Sequence, residues 1–233
     1  MTIARLNAIN REFYRVTADE FDATRGQAWL GWERLLPLLT SDKRDPNVPL
    51  SVLDVGCGNG RFGVFLREHG LNSRYHGMDN SPALLDKARA ALPSAALELR
   101  DIVDNPPHTG TYDLVVLFGV LHHIPGSVER QAFMRVLAQR VGAGGMLAFA
   151  CWRFYEYERF RARVVPWSAD LSVEAHDYLL DWRRGARALR YCHYVDDAEH
   201  HALVAATGLR EVQRYRADGE DGQANQYSVL RRE

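Results

Sequence analysis

Cysteine is scarce in this 233-residue chain: Cys57, Cys151 and Cys192 form an odd, scattered set. That spacing excludes a disulfide framework and a CxxC metal site, and it fits a reducing, cytoplasmic compartment. Lysine is scarcer still, present only as Lys43 and Lys87, so the wealth of arginine is a compositional preference and arginine clusters weigh less as signals. No apolar run approaches the roughly 20 residues that span a bilayer. The N-terminal "MTIARLNAINREFYRVTADEF" has neither an apolar h-region nor a small-residue cleavage signal, so a soluble protein without a membrane partner is expected. Charge of one sign is also missing. With 29 basic and 30 acidic residues the net charge is -1, which excludes a chain-wide positive field for phosphates and confines any nucleic-acid contact to a local patch. Internal repeats and low-complexity tracts are absent as well.

What is present is 46% apolar content, enough for a sizeable core in one domain over 1–233. From residue 51 onward, strand-length apolar runs alternate with segments of helical period, the pattern of βαβ units around a parallel sheet. "SVLDVG" (51–56), "RYHGMD" (74–79), "ALELRD" (96–101), "YDLVVLFG" (112–119) and "GMLAFACW" (145–152) read as strands. Between them, "SPALLDKARAAL" has Ser81 as N-cap and Pro82 at the first helical position. "SVERQAFMRVLAQRVG" reads as a helix capped by Ser127 and closed by Gly142. Residues 1–40 look helical and aromatic, and residues 153–192 form an arginine- and aromatic-rich insertion. A last helix, "DDAEHHALVAATG", precedes two strand-like runs around a glycine and aspartate turn, which predicts an antiparallel hairpin at the sheet edge.

The chemistry centres on "VLDVGCGNG" (52–60), a strand that ends in an acid and three alternate glycines. Strand, glycine turn and helix together let a ligand approach bare backbone and unpaired N–H groups. A P-loop needs a lysine that is absent, and a dinucleotide fingerprint needs a third glycine where Arg61 stands. Asp54, Gly56, Gly58 and Gly60 give the form DxGxGxG instead, with an acid suited to a cationic amino group. Nineteen residues past Gly60, Asp79 ends the second strand, where a carboxylate accepts from ribose hydroxyls. Asp101 ends the third strand beside Ile102, an acid and an apolar neighbour suited to the amine and ring of adenine.

"VLDVGCGNG", "GMDNS", "RDI" and "YDLVVLFGVLHHI", in that order, resemble the class I methyltransferases. The resemblance implies S-adenosylmethionine as cofactor. It also implies an α/β, doubly wound, mostly parallel seven-stranded sheet of Rossmann-like type with the antiparallel hairpin as its edge. It carries over Asp54, Gly56, Cys57, Gly58, Asp79, Asn80, Asp101, Ile102 and Phe118 as cofactor contacts. Residues 10–32, "NREFYRVTADEFDATRGQAWLGW", are similar to the entry segment of the tRNA wobble-uridine methyltransferases, which esterify a carboxymethyl group. From that likeness come Tyr14 closing over the cofactor, Arg25 facing the methionine carboxylate or the substrate, and residues 1–40 as a lid.

"LHH" sets His122 and His123 at the mouth after the fourth strand. A histidine there can take a proton from a nucleophile or donate to a carboxylate; helix-entry packing accounts for one of the pair, and His123 is preferred as the functional one. No third metal ligand of suitable spacing accompanies them. The arginines and aromatics of 153–192 suit either an RNA surface or a cover whose arginines are solvated. The acceptor is therefore an O or N atom on tRNA or on a small molecule. A subunit that binds the nucleoside without catalysis stays open, and Arg61 disfavours a nicotinamide oxidoreductase.

Overall fold

The computed structural model describes all residues except Met1, Thr24, Arg25, 41–44, Pro46 and Arg184, and the side chains of Phe21 and Asp22. In chain order the elements are α1 (Thr2–Ala23), a 3-10 turn (Leu30–Leu35) running into α2 (Leu36–Leu39), β1 (Leu50–Val55), α3 (Arg61–Glu68), β2 (Ser73–Asp79), α4 (Pro82–Ala91), β3 (Ala96–Leu99) and β4 (Tyr112–Phe118). There follow a one-turn 3-10 segment (Leu121–His123), α5 (Ser127–Arg140), β5 (Val141–Trp152), α6 (Glu158–Arg161), β6 (Val164–Val165), β7 (Asp177–Trp182), β8 (Ala188–His193), α7 (Asp197–Thr207), β9 (Arg210–Ala217) and β10 (Asn225–Arg231). The main sheet has seven strands in the order β3-β2-β1-β4-β5-β10-β9, with β10 and β9 antiparallel. The sequence order reverses between β1 and β4, the switch point outside whose strand ends ligands bind in open α/β sheets.

β1 is buried along its whole length because helices cover both faces of the sheet. Alternate side chains then feed two cores. Val52, Leu114, Val116 and Phe118 join Trp32, Phe62 and Phe65 on one face. Leu53, Val55, Val115 and Leu117 join Phe133 and Leu137 of α5 on the other. The expected cap of α4 is present, with Ser81 Oγ accepting from the Leu84 N–H at 3.4 Å.

Helix α5 is bounded differently from the expectation. Gly126, at φ 88, is its cap, and its carbonyl accepts from the Arg130 N–H; Ser127 is the first helical residue and its N–H goes to Glu174. Gly142 does not close the helix. The chain passes from Arg140 straight into β5, where Val141 pairs with Tyr112. A Cβ on Gly142 would lie 3.3 Å from the Tyr112 carbonyl oxygen, and on Gly145 2.9 Å, so both glycines serve a close strand crossing.

The insertion makes a second, three-stranded antiparallel sheet in the order β6-β7-β8. Against β8 lies α1, where Asn10 Oδ1 accepts the Tyr191 N–H at 3.0 Å. Ion pairs Arg5–Asp170, Arg11–Asp101 and Lys87–Asp19 hold the rest of α1. At the hairpin, the Asp218 carboxylate receives the Gly31 N–H, the Asn225 amide and the Tyr227 hydroxyl, tying the sheet edge to the N-terminal segment. Among the described residues no helix is long and apolar enough to cross a membrane.

Candidate active site

The ends of β1, β2 and β4 open into a cavity. Its floor is the glycine turn. Gly56, at φ +76, passes so close to Val120 that a Cβ would stand 2.2 Å from a methyl group. Gly58, at φ +53, has nothing nearer than Leu84 at 3.9 Å, and this bare peptide is the cavity surface. Asp79 stabilises the turn: one carboxylate oxygen accepts the Gly58 N–H at 2.8 Å and the other the Ser81 N–H at 2.9 Å. With the Asn80 N–H as a third backbone donor, the carboxylate keeps one acceptor position for a hydroxyl.

Asp54 lies behind the turn, 3% exposed, and accepts from the Tyr75 hydroxyl at 2.5 Å. Burial pushes its carboxyl up to about 7; the Tyr75 bond opposes this and the charge of Asp79 adds to it. Burial also raises Asp79, against the backbone N–H groups that favour its charged form. The Arg61 charge offsets part of this cost at Asp54, and an α-ammonium group would favour the ionised form further. Asn80 also lines the cavity, with the apolar edges of Ile102, Val103 and Phe118. Cys57 lines it too, its thiol raised well above the ordinary value by burial and the two acids. Ammonium, ribose and adenine thus meet acid, acid and apolar wall in the order the sulfonium nucleoside presents them, so the residues fit S-adenosylmethionine.

The opposite wall belongs to α1 and the turn after β4. Asn7, Asn10 and Tyr14 lie on one face of α1 and line the cavity with His123. Arg190 places Nη2 2.9 Å from Nε2 of His123 and 2.9 Å from Nε2 of His122. Arginine only donates, so Nε2 of His123 is an acceptor and its proton sits on Nδ1, which donates to the Tyr191 carbonyl at 3.0 Å. The Tyr14 hydroxyl, 3.0 Å from the same Nε2, shares that one lone pair with Arg190 as a second donor, and the Asn10 amide nitrogen lies 3.1 Å from Nδ1. Cys192 lies within 4.8 Å of both histidines, a trio the sequence spacing does not reveal, with Arg190 on the two Nε2 atoms.

Several expected residues stand elsewhere. The Asp101 carboxylate is turned to Asn7, Arg11 and the N–H groups of its own loop, while its neighbours Ile102 and Val103 reach the cavity. His122 is buried outside the cavity lining, against Trp152. Arg25 lies outside the described residues. The cavity wall also contains residues that sequence reasoning passed over: Trp29 and Trp32 stacked at 5.5 Å, and Arg61 with its guanidinium 5.6 and 5.7 Å above those rings. Arg61 is the one guanidinium among the described lining residues. Its only sequence signal was its departure from the dinucleotide pattern.

A family model described as a methyltransferase domain matches residues 53–147. The tRNA (carboxymethyluridine(34)-5-O)-methyltransferase of Saccharomyces cerevisiae is 28% identical over 164 residues, 66% of this chain and 54% of the yeast enzyme. The chain therefore spans about half the length of that relative. The trans-aconitate 2-methyltransferase of Streptomyces avermitilis is 34% identical over 109 residues, 45% of this chain and 39% of the relative. In structure the chain is similar to CalS10, an amino pentose methyltransferase from Micromonospora echinaspora solved with SAM bound, at a TM-score of 0.63 and 19% identity, covering 92% of this chain and 97% of the other. The stretch matched by the family model is the one that builds the glycine turn and its two acids, so residues 53–147 match a methyltransferase domain on a fold shared with S-adenosylmethionine-dependent methyltransferases.

Proposed function

We propose that the enzyme methylates a hydroxyl or amine of a small molecule held between the glycine turn and α1, with α1 as the lid. The observation that carries this reading is the Tyr14–His123 pair. Because the Tyr14 proton is spent on Nε2, its oxygen presents lone pairs to the cavity and accepts from an O–H or N–H nucleophile. A carboxylate has no proton to offer it. The bound cofactor supplies an electrophilic methyl on sulfur for in-line displacement. Tyr14 holds the nucleophile so that a lone pair faces that methyl, and as the new bond forms the acceptor's proton would pass to the Tyr14 oxygen while the Tyr14 proton moves to Nε2 of His123; such positioning contributes about 7 to 11 kcal/mol in well-oriented reactions. His123, fixed by the Tyr191 carbonyl, holds Tyr14. Trp29, Trp32 and Phe118 exclude water from the sulfonium side.

Methyl ester formation on a tRNA carboxymethyl group is the second reading, favoured by the yeast relative. The arginines of 153–192 give it less support: Arg153 is buried against Glu156 and Asp197, Arg159 faces Glu220, Arg183 faces Asp181 and Arg190 sits on the histidines. Incubation of methyl-labelled donor with bulk tRNA and, separately, with a metabolite extract decides between them. Label in small molecules only supports the first reading, and label in tRNA only overturns it.

A further inference from the structure

Asn7 is 2% exposed and lines the cavity beside Ile102 and Val103, yet it has no task in the scheme above. Its amide nitrogen lies 3.3 and 3.2 Å from the two Asp101 oxygens and 3.5 Å from an Asp104 oxygen. Carboxylates only accept, so the nitrogen is held on the acids and the carbonyl oxygen Oδ1 is turned away from them. Arg11 bridges the same two carboxylates at 3.0 and 2.9 Å and keeps both in place, so the amide has no reason to turn over. Oδ1 accepts no hydrogen bond from any described residue. An oriented acceptor at the rim of an apolar slot matches a flat ring that carries an N–H donor on its edge.

We propose that Asn7 Oδ1 reads the exocyclic amine of adenine, and that Asp101 acts through Asn7 rather than by touching the base. The inference rests on the S-adenosylmethionine reading and adds the residue that tells adenine from a 6-oxo purine. With the amine replaced by a carbonyl, two acceptors face each other and neither is satisfied. Leaving one buried polar group unpaired in this way typically costs about 10- to 100-fold in binding.

The test is calorimetry of the full chain with S-adenosylhomocysteine and with S-inosylhomocysteine. The natural protein is expected to prefer the adenosine form by about 10- to 100-fold. Asn7→Leu, which keeps the volume, is expected to bring the two affinities within about threefold, as is Asp101→Asn, which frees the amide to turn. A ratio near one in the natural protein, a measurement that needs no variant, overturns the inference. So does a ratio that survives in Asn7→Leu but collapses in Asp101→Asn, which gives the base to Asp101. Failure of both nucleosides to bind overturns the cofactor reading itself, whereas binding of both with equal affinity overturns this inference alone.

Discussion

Asp54 makes cofactor binding depend on pH in a direction that can be worked out. Its buried carboxyl titrates at about 7 in the free protein. An α-ammonium placed against it favours the ionised form, so binding expels a proton wherever the free protein holds one. Below about pH 7 the association constant of S-adenosylhomocysteine is expected to rise tenfold per pH unit, and above it to level off. Between pH 5 and pH 8 the free carboxyl goes from about 1% to about 90% ionised, an affinity gain of about 90-fold, or roughly 2.7 kcal/mol at 1.36 kcal/mol per tenfold. Calorimetry at pH 6 in two buffers of different ionisation enthalpy reads the coupling directly, as release of about 0.9 proton. Asp54→Asn, which keeps a partner for Tyr75, is expected to flatten the profile at the low affinity the natural protein shows in acid. The same residue acts on stability with the opposite sense. Its folded value lies above the ordinary 3.8, so its contribution is fully present below about pH 4 and is lost as pH rises through about 7, by about 4 kcal/mol. The ligand-free Asp54→Asn protein is therefore expected to melt above the natural one at pH 8. A pH-independent affinity with no proton released in the natural protein refutes the reasoning.

Tyr14→Phe keeps the ring contacts with Phe13 and His123 but loses the acceptor oxygen; kcat is expected to fall about 10- to 100-fold with S-adenosylhomocysteine affinity unchanged, and an unchanged kcat in steady-state assays removes Tyr14 from the reaction. Arg130 is 1% exposed and joins Glu199, Glu174 and the Ile124 carbonyl, so Arg130→Met strands two carboxylates and is expected to cost about 3 to 5 kcal/mol in urea denaturation; a loss below 1 kcal/mol contradicts this. Burial pulls His193 down, but its bonds to Asp177 and Glu199 overcome that and raise it above 6.5. Its contribution is thus full below pH 6.5 and is lost as pH rises through the folded value. Denaturation of His193→Asn beside the natural protein at pH 6 and pH 9 is expected to show the larger gap at pH 6, and an equal gap argues against a charged imidazole.

The parallel core was legible because each strand is short, apolar and bounded, and because β1 needs no partner from outside its own βαβ unit to explain "LDVGCG". The cover was not. Its three strands pair only through each other, and nothing local in "RFYEYERFRARVVPW" marks a strand. Asp101 illustrates the limit: its position after β3 was readable, but the Asn7 amide that occupies it comes from 94 residues away. The Asn10–Tyr191 bond spans 181 residues. Gly142 was misread for a related reason, since a glycine after a helix suggests closure until the Tyr112 carbonyl behind it is seen. Both histidines follow β4, but only His123 lines the cavity, and both sit on Arg190, which the sequence presented as one member of a cluster.

Because Tyr191 contacts α1 with its N–H and His123 with its C=O, the second sheet is no detachable ornament. Trimming residues 153–192 would remove the scaffold on which the imidazole is hung, and the shortened protein would keep its nucleoside but lose its aim. Main-chain atoms make both contacts, and the neighbouring Arg190 side chain adds a third from the same strand to Nε2 of His123. An enzyme built this way can acquire new acceptors while its histidine stays put.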